Sequence, residues 1–346
     1  MAHRDEVDRT EALIVPPSIM DDDIPECRHD RAMDQLVLPS ALATAERVLV
    51  AGAGGGYDVY AGLPLYFALR RAGKQAFLAN LTFTYLGGTD AALLAPALAV
   101  IEPTTAGGDA YFPERALARF LAGRGEPHPR VYAIDKSGVE PVREAYAHLV
   151  ERHAIDAIAL VDGGTDILMR GDEAGLGTPA EDMVSLGAVA ALEGVASKLV
   201  LCLGFGIDAF HGVCHAHFLE NVAALGGGFL GAMALTREMP EGQAYLDAVA
   251  HAEAETPGHP SIVNGSIASA LEGHFGDHQR TERTRSSELF INPLMSFFWA
   301  FDLAAVARRS LYLHHLRGTA SIWDVQRVIE GFRRGLATRP RRPIPH

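Results

Sequence analysis

From Arg47 onward the chain alternates short runs of Val, Ile and Leu with longer amphipathic stretches. An unbroken run of four to eight apolar residues suits a strand buried on both faces, and such strands separated by helix-length segments build βαβ units around a parallel sheet. The expected strands are 47–51, 75–81, 98–102, 131–135, 157–162 and 198–203, with helices between them at 58–72, 113–122, 140–153 and 180–196. The pattern predicts an α/β fold: a doubly wound, mostly parallel, Rossmann-like sheet with a helical C-terminal elaboration. That elaboration is read at 212–225, 241–253, 261–273, 294–316 and 321–336, with 228–235 as one further strand candidate. In its last helix Ile322, Val325, Val328, Ile329, Phe332 and Leu336 form one apolar stripe behind a Ser321-x-x-Asp324 capping pattern. Residues 1–44 lack periodicity and read as an N-terminal extension, 45–336 as a single domain, and 337–346, with three arginines and three prolines, as a solvated basic tail.

Charge and cysteine usage narrow the function classes. The 43 acids against 30 bases give a net charge of −13, which opposes the phosphate backbone that supplies most nucleic-acid affinity. Nucleic acid is therefore not an expected partner. Cys27, Cys202 and Cys214 are an odd number with no CxxC pair, so neither a disulfide framework nor a zinc ribbon is indicated and a reducing cytoplasm is expected. Only Leu13 to Val15 are contiguously apolar near the start, so no secretory segment is expected there. The longest apolar stretch, Leu294 to Ala307, contains Asp302 and is too short for a bilayer, so it reads as a buried helix and no membrane partner is expected. No isolated heptad fixes an oligomeric state, and a homo-oligomer stays open.

Three loops carry the chemistry. The first strand runs into Gly52-Ala-Gly54-Gly55-Gly56-Tyr57-Asp58 and then a helix. Glycines there let backbone N–H groups approach a phosphate or carboxylate at a helix N-terminus. The dinucleotide fingerprint fails twice, at Tyr57 where glycine is required and at Asn80 where an acid would bind ribose, so NAD(P) is not expected; no P-loop lysine follows either. The second loop, at the end of the fifth strand, is Asp162-Gly163-Gly164-Thr165-Asp166, continuing to Arg170, Asp172 and Glu173. Ligands of open α/β sheets bind outside the strand C-termini, so both loops should face one crevice. Asp162 and Asp166 are candidates to hold a divalent cation or to grip substrate hydroxyls, and Arg170 to clamp an anion. The bland reading makes the loop an Asp-rich cap with Arg170 as its internal counter-charge.

The third loop runs from Gly204 through Asp208 and His211 to Cys214, His215 and His217. Two functional readings stay open: some of these bind a transition metal, with Asp162, Asp166, Asp208 and His211 as one ligand set, or His211 or His215 moves a proton, with Cys214 as a thiolate it activates. At least two of the three histidines are expected to be packing or capping residues. Farther on, His259 to Ser266 reads either as further anion donors or as a helix N-cap.

The stretches GAGGGYDVYAGLPL, DGGTDILMRGDEAGLGTPAEDM and GFGIDAFHG together resemble the domain of unknown function family 1152, over about residues 45–315. The resemblance implies a single α/β domain with a shared site and supplies no catalytic assignment. Asp58-Val59 fits its glycine loop, and Tyr57 is a departure that narrows the pocket. The sequence thus points to a small-molecule enzyme holding a phosphorylated or carboxylate-bearing metabolite at Gly54, Gly55, Gly56 and Asp58 and at Asp162, Gly163, Gly164, Thr165 and Arg170. Asp166, His211 and His215 are its catalytic candidates, and the chemistry is hydrolytic, lyase or group transfer, with a divalent metal open as cofactor. The rivals are a nicotinamide-dependent oxidoreductase and a ligand-binding module that never turns over.

Overall fold

The computed structural model describes residues 35–108 and 110–344; the acidic run Asp21 to Asp23 and most of the expected extension lie outside them. Among the described residues nine strands form one sheet: β1 (Arg47–Gly52), β2 (Gln75–Thr82), β3 (Ala92–Ala95), β4 (Leu98–Ile101), β5 (Val131–Asp135), β6 (Ala157–Gly163), β7 (Ser197–Leu203), β8 (Phe229–Ala234) and β9 (Phe297–Asp302). Their spatial order is β3-β4-β5-β2-β1-β6-β7-β9-β8. The five central strands are parallel neighbours, and β4 and β9 run against them. The fold is α/β with a mostly parallel mixed sheet. From β1 the chain winds outward through β2 to β5, then returns to place β6 and β7 on the other side of β1. The direction of winding therefore reverses between β1 and β6, which is where open α/β sheets leave a crevice.

Helices cover both faces. On one, Val139–His153, Pro179–Ala190 and Ile322–Arg334 bury Val142, Leu149, Met183, Leu186, Val325 and Ile329 against the sheet. On the other, Leu63–Arg71, Pro113–Gly123 and Pro240–Glu255 bury Leu65, Leu69, Leu117, Leu121 and Tyr245. The Ser321 and Asp324 pair closes a full capping box on Ile322–Arg334. No helix among the described residues is long and apolar enough to cross a membrane.

The edge strand β3 is not expected from the periodicity, and three further elements differ from it. The segment 294–316 is not one helix: Phe297–Asp302 is β9, and only Leu303–Arg309 is helical. Four aromatics in six residues favour the extended, pleated surface between β7 and β8 over a helix, and an apolar run does not by itself discriminate the two. The expected helix 58–72 divides at Gly62 into Asp58–Ala61 and Leu63–Arg71, where Pro64 in the first turn of the second helix has no N–H to continue the ladder; Gly62 itself is needed because a Cβ there would stand 2.6 Å from Val50 Cγ1. The expected tail does not extend into solvent as far as Arg342. Arg339 donates to Asp172, Glu173 and Glu220, and its carbonyl accepts the Ala174 N–H.

Candidate functional site

The C-terminal ends of β1 and β6 open into a cavity of about 720 Å³, and both expected loops line it. At the end of β1, Gly52 brings strand and helix too close for a side chain, since a Cβ there would stand 2.5 Å from the Val59 nitrogen. The turn then passes through Gly55 and Gly56 at positive φ, which non-glycine residues rarely adopt. It does not leave the Gly54 amide free for an anion. That N–H donates at 2.6 Å to the Asp58 carboxylate four residues on. A Cβ on Gly54 would stand 2.8 Å from both Asp58 Oδ2 and Asp182 Oδ1, so only glycine lets these two carboxylates sit against the loop. Outside the turn, Asn80 donates to the Gly56 carbonyl and to Glu114, and Asn264 donates to the Tyr57 carbonyl. Ser261 is the N-cap of Ile262–Leu271, so the capping alternative holds for that segment, while Val263 lines the cavity.

At the end of β6, Asp162 accepts the Ile167 N–H at 3.2 Å. Thr165 donates its N–H at 2.6 Å and its hydroxyl at 3.2 Å to Asp208, which sits on the turn after β7. Asp166 accepts the Thr178 N–H at 2.7 Å, tying the loop to the start of Pro179–Ala190. The first turn of that helix carries Glu181 and Asp182 into the same cavity. Asp182 is 1% exposed, and its Oδ1 has no hydrogen-bond partner among the described residues. A buried acceptor without a donor costs free energy that a bound group returns.

Five aspartates thus meet in one cavity: Asp58, Asp162, Asp166, Asp182 and Asp208. Burial, then the Gly54 hydrogen bond pulling the other way, then the Asp166 charge leave the Asp58 carboxyl raised to about 7. Burial and the mutual charges also push Asp162, Asp182 and Asp208 well above the carboxylate range. Asp166 is raised by burial against the pull of its Thr178 hydrogen bonds. Like charges this close cannot all ionise unless a cation joins them. One oxygen from each of Asp58, Asp162 and Asp182 lies within 4.8 Å of the other two, the only such grouping of acid, His or Cys atoms among the described residues. Three oxygen donors without nitrogen or sulfur suit a hard divalent cation. The lining also holds Lys136, itself 3.5 Å from Glu181, and the exposed His211 at the rim.

The remaining sequence candidates divide. Gly54, Gly55, Gly163, Asp166, Asp208 and His211 line the cavity with the triad, whereas Gly56, Gly164, Thr165, Arg170 and His215 do not. Arg170 pairs with Asp172, and its N–H donates to Glu173, a carboxylate with no exposure that also accepts from Gly171, Asn221 and Arg339. That is the counter-charge arrangement. The His215 ring lies against Phe205 and Phe290, and burial pushes its pKa down. Cys214 donates to the Arg342 carbonyl, away from both histidines' expected role. Asp182, Glu181, Lys136 and Phe83 escaped the sequence reading. For Asp182 a signal existed, because Pro179 marks a helix start just after the acid loop and puts Asp182 in its first turn.

Comparisons with curated proteins and with solved structures return no match to this chain. A family model matches residues 99–337, which takes in β6, the acid loop, Asp182, Asp208 and His211 but begins after the glycine turn and Asp58. With well over half of its length matched, the chain belongs to the family described as protein of unknown function, DUF1152.

Proposed function

We propose that the cavity holds a divalent cation of the magnesium or manganese type through Asp58, Asp162 and Asp182. The cation presents a small phosphorylated or carboxylate-bearing metabolite for hydrolysis, elimination or group transfer. The unpartnered Oδ1 of buried Asp182, on a carboxylate that brings an oxygen within 4.8 Å of Asp58 and Asp162, carries this reading. An anion entering without a cation would meet five aspartates, Glu181 and Glu330 against one lysine. A cation held by Asp58, Asp162 and Asp182 would offset part of that negative charge and would supply Lewis-acid polarisation of a substrate oxygen. His211 at the rim is the proton carrier in this scheme, and Asp166, fixed by Thr178, orients polar groups of the substrate. A nicotinamide dinucleotide is disfavoured: its pyrophosphate would need the Gly54 amide that Asp58 occupies. The net charge of −13 and two buried free cysteines, Cys202 and Cys214, suit a cytoplasmic protein working on small molecules.

The test is calorimetric titration of EDTA-stripped protein with Mn²⁺ and Mg²⁺ at pH 8, for wild type and for Asp182→Asn and Asp58→Asn. One cation should bind per chain, at least about tenfold more weakly in each variant. Equal binding in all three proteins, or none, refutes the reading. A panel of phosphomonoesters, phosphodiesters and phosphoanhydrides followed by ³¹P resonance then separates an enzyme from a module that binds without turnover.

A further inference from the structure

The strands of the central sheet begin at the end opposite the acid cavity, and there the starts of β1 and β2 frame a second cavity of about 560 Å³. Its character is the reverse of the first. Arg47, Arg70 and Arg130 line it against a single carboxylate, Glu126, on a chain whose net charge is −13. Arg47 donates its Nε–H to the His153 carbonyl, whereas the ion pairs of the other two are long: Arg70 stands 3.5 Å from Glu126, and Arg130 stands 3.8 Å from Glu102. The Nε atoms of Arg70 and Arg130 are shielded from solvent yet have no hydrogen-bond partner among the described residues. Guanidinium groups present a fork of donors matched to phosphate and carboxylate oxygens. One wall is aromatic: the His153 imidazole stacks on Phe77 at 4.3 Å, and its Nε2 is 2.7 Å from the Tyr132 hydroxyl. Burial, together with the charges of Arg152, Arg47 and Arg130, pushes His153 down to about 4, so at neutral pH the imidazole is uncharged and the arginines set the potential.

We propose that this cavity is a second binding site, for a small molecule of nucleoside monophosphate size that carries a phosphate or carboxylate on a flat body. The arginines hold the oxyanion, and the Phe77–His153 wall contacts the flat part. The volume falls within the range of small-molecule pockets, roughly 300–1,000 Å³. Nothing in this inference depends on a cation in the acid cavity.

The probe is adenosine 5′-monophosphate, titrated calorimetrically in EDTA, with inorganic phosphate as the partner lacking a flat body. AMP should bind wild type and Asp182→Asn alike. Its affinity should fall at least about tenfold in Arg130→Gln and in Arg70→Gln, and moderate salt should weaken it. Inorganic phosphate should bind much more weakly. Because Arg70 also meets Glu126, Arg130→Lys serves as a second variant that keeps the charge and loses the fork; its affinity should lie between wild type and Arg130→Gln. The proposal is overturned if AMP does not bind in EDTA, or if binding requires Mn²⁺ and disappears in Asp182→Asn. Equal AMP affinity in wild type and the arginine variants also overturns it, and phosphate binding as tight as AMP removes the flat body from it.

Discussion

Replacing Asp182 by asparagine removes one of three carboxylates whose oxygens stand within 4.8 Å of one another. At an effective dielectric of about 20, two ionised carboxylates at that separation repel by about 3.5 kcal/mol. The protein meets this repulsion by keeping protons. Taking Asp58 from its ordinary 3.8 to about 7, at about 1.4 kcal/mol per decade of acidity, corresponds to about 4 kcal/mol. Screening at half-buried Asp58 reduces this to about 2–3 kcal/mol. The folded state holds protons that the unfolded chain releases above pH about 4, so this stability is complete below that pH and is lost as pH rises through 7. In EDTA at pH 8, Asp182→Asn should therefore be more stable than wild type by about 1–3 kcal/mol. At pH 5, where burial and the neighbouring carboxylates favour the protonated form of Asp182, the two should agree within about 1 kcal/mol. Manganese should reverse the order: at about 100 times its dissociation constant it adds about 2.7 kcal/mol to wild type and little to the variant. Urea unfolding at both pH values, with EDTA and with Mn²⁺, measures all four quantities. A variant that is less stable at pH 8 in EDTA, yet gains as much from manganese, would make Asp182 a structural acceptor and refute the reasoning.

Gly54→Ala should weaken Mn²⁺ binding by about tenfold or more while circular dichroism stays that of wild type, because the new Cβ presses on Asp58 and Asp182. Unchanged binding would show that the glycine turn has no part in the cation site. Arg339→Ala should cost about 1–3 kcal/mol in urea unfolding, since it takes one charged donor from fully buried Glu173 as well as those to Asp172 and Glu220; a cost near zero would mean that Asn221 and the loop amides satisfy Glu173 alone. Ser321→Ala should cost about 1 kcal/mol through the lost capping box, and restoring a side-chain acceptor with Ser321→Thr should recover most of it.

The parallel centre of the sheet was legible because β1, β2, β5, β6 and β7 are buried on both faces and so read as unbroken apolar runs. The edges were not. In β9 the aromatics of Phe297–Asp302 supply no polar alternation, and only the pairing of Cys202 with Trp299 and of Met233 with Phe298 makes this segment a strand. The ends of β1 and β6 locate the cavity, but the partner of the Gly54 amide is not legible in the sequence. Sequence shows glycines able to offer amides; it does not show that the Asp58 side chain folds back onto the Gly54 amide. Asp182 lay twenty positions beyond Asp162 and enters the cavity only because a helix begins at Pro179. The basic cavity was invisible for a related reason, since Arg47, Arg70 and Arg130 come from three separate elements that only the sheet order brings together.

Glu173 waits for a partner that lies 166 residues further along the chain. During synthesis the acid loop emerges long before Arg339, so for that interval a carboxylate destined for full burial lacks its guanidinium. The loop after β6 therefore closes late in vectorial folding, and the central strands can pair before the walls of the cavity are fixed. A nascent chain stalled before residue 339 should therefore have this loop cut more readily by protease than the released protein does.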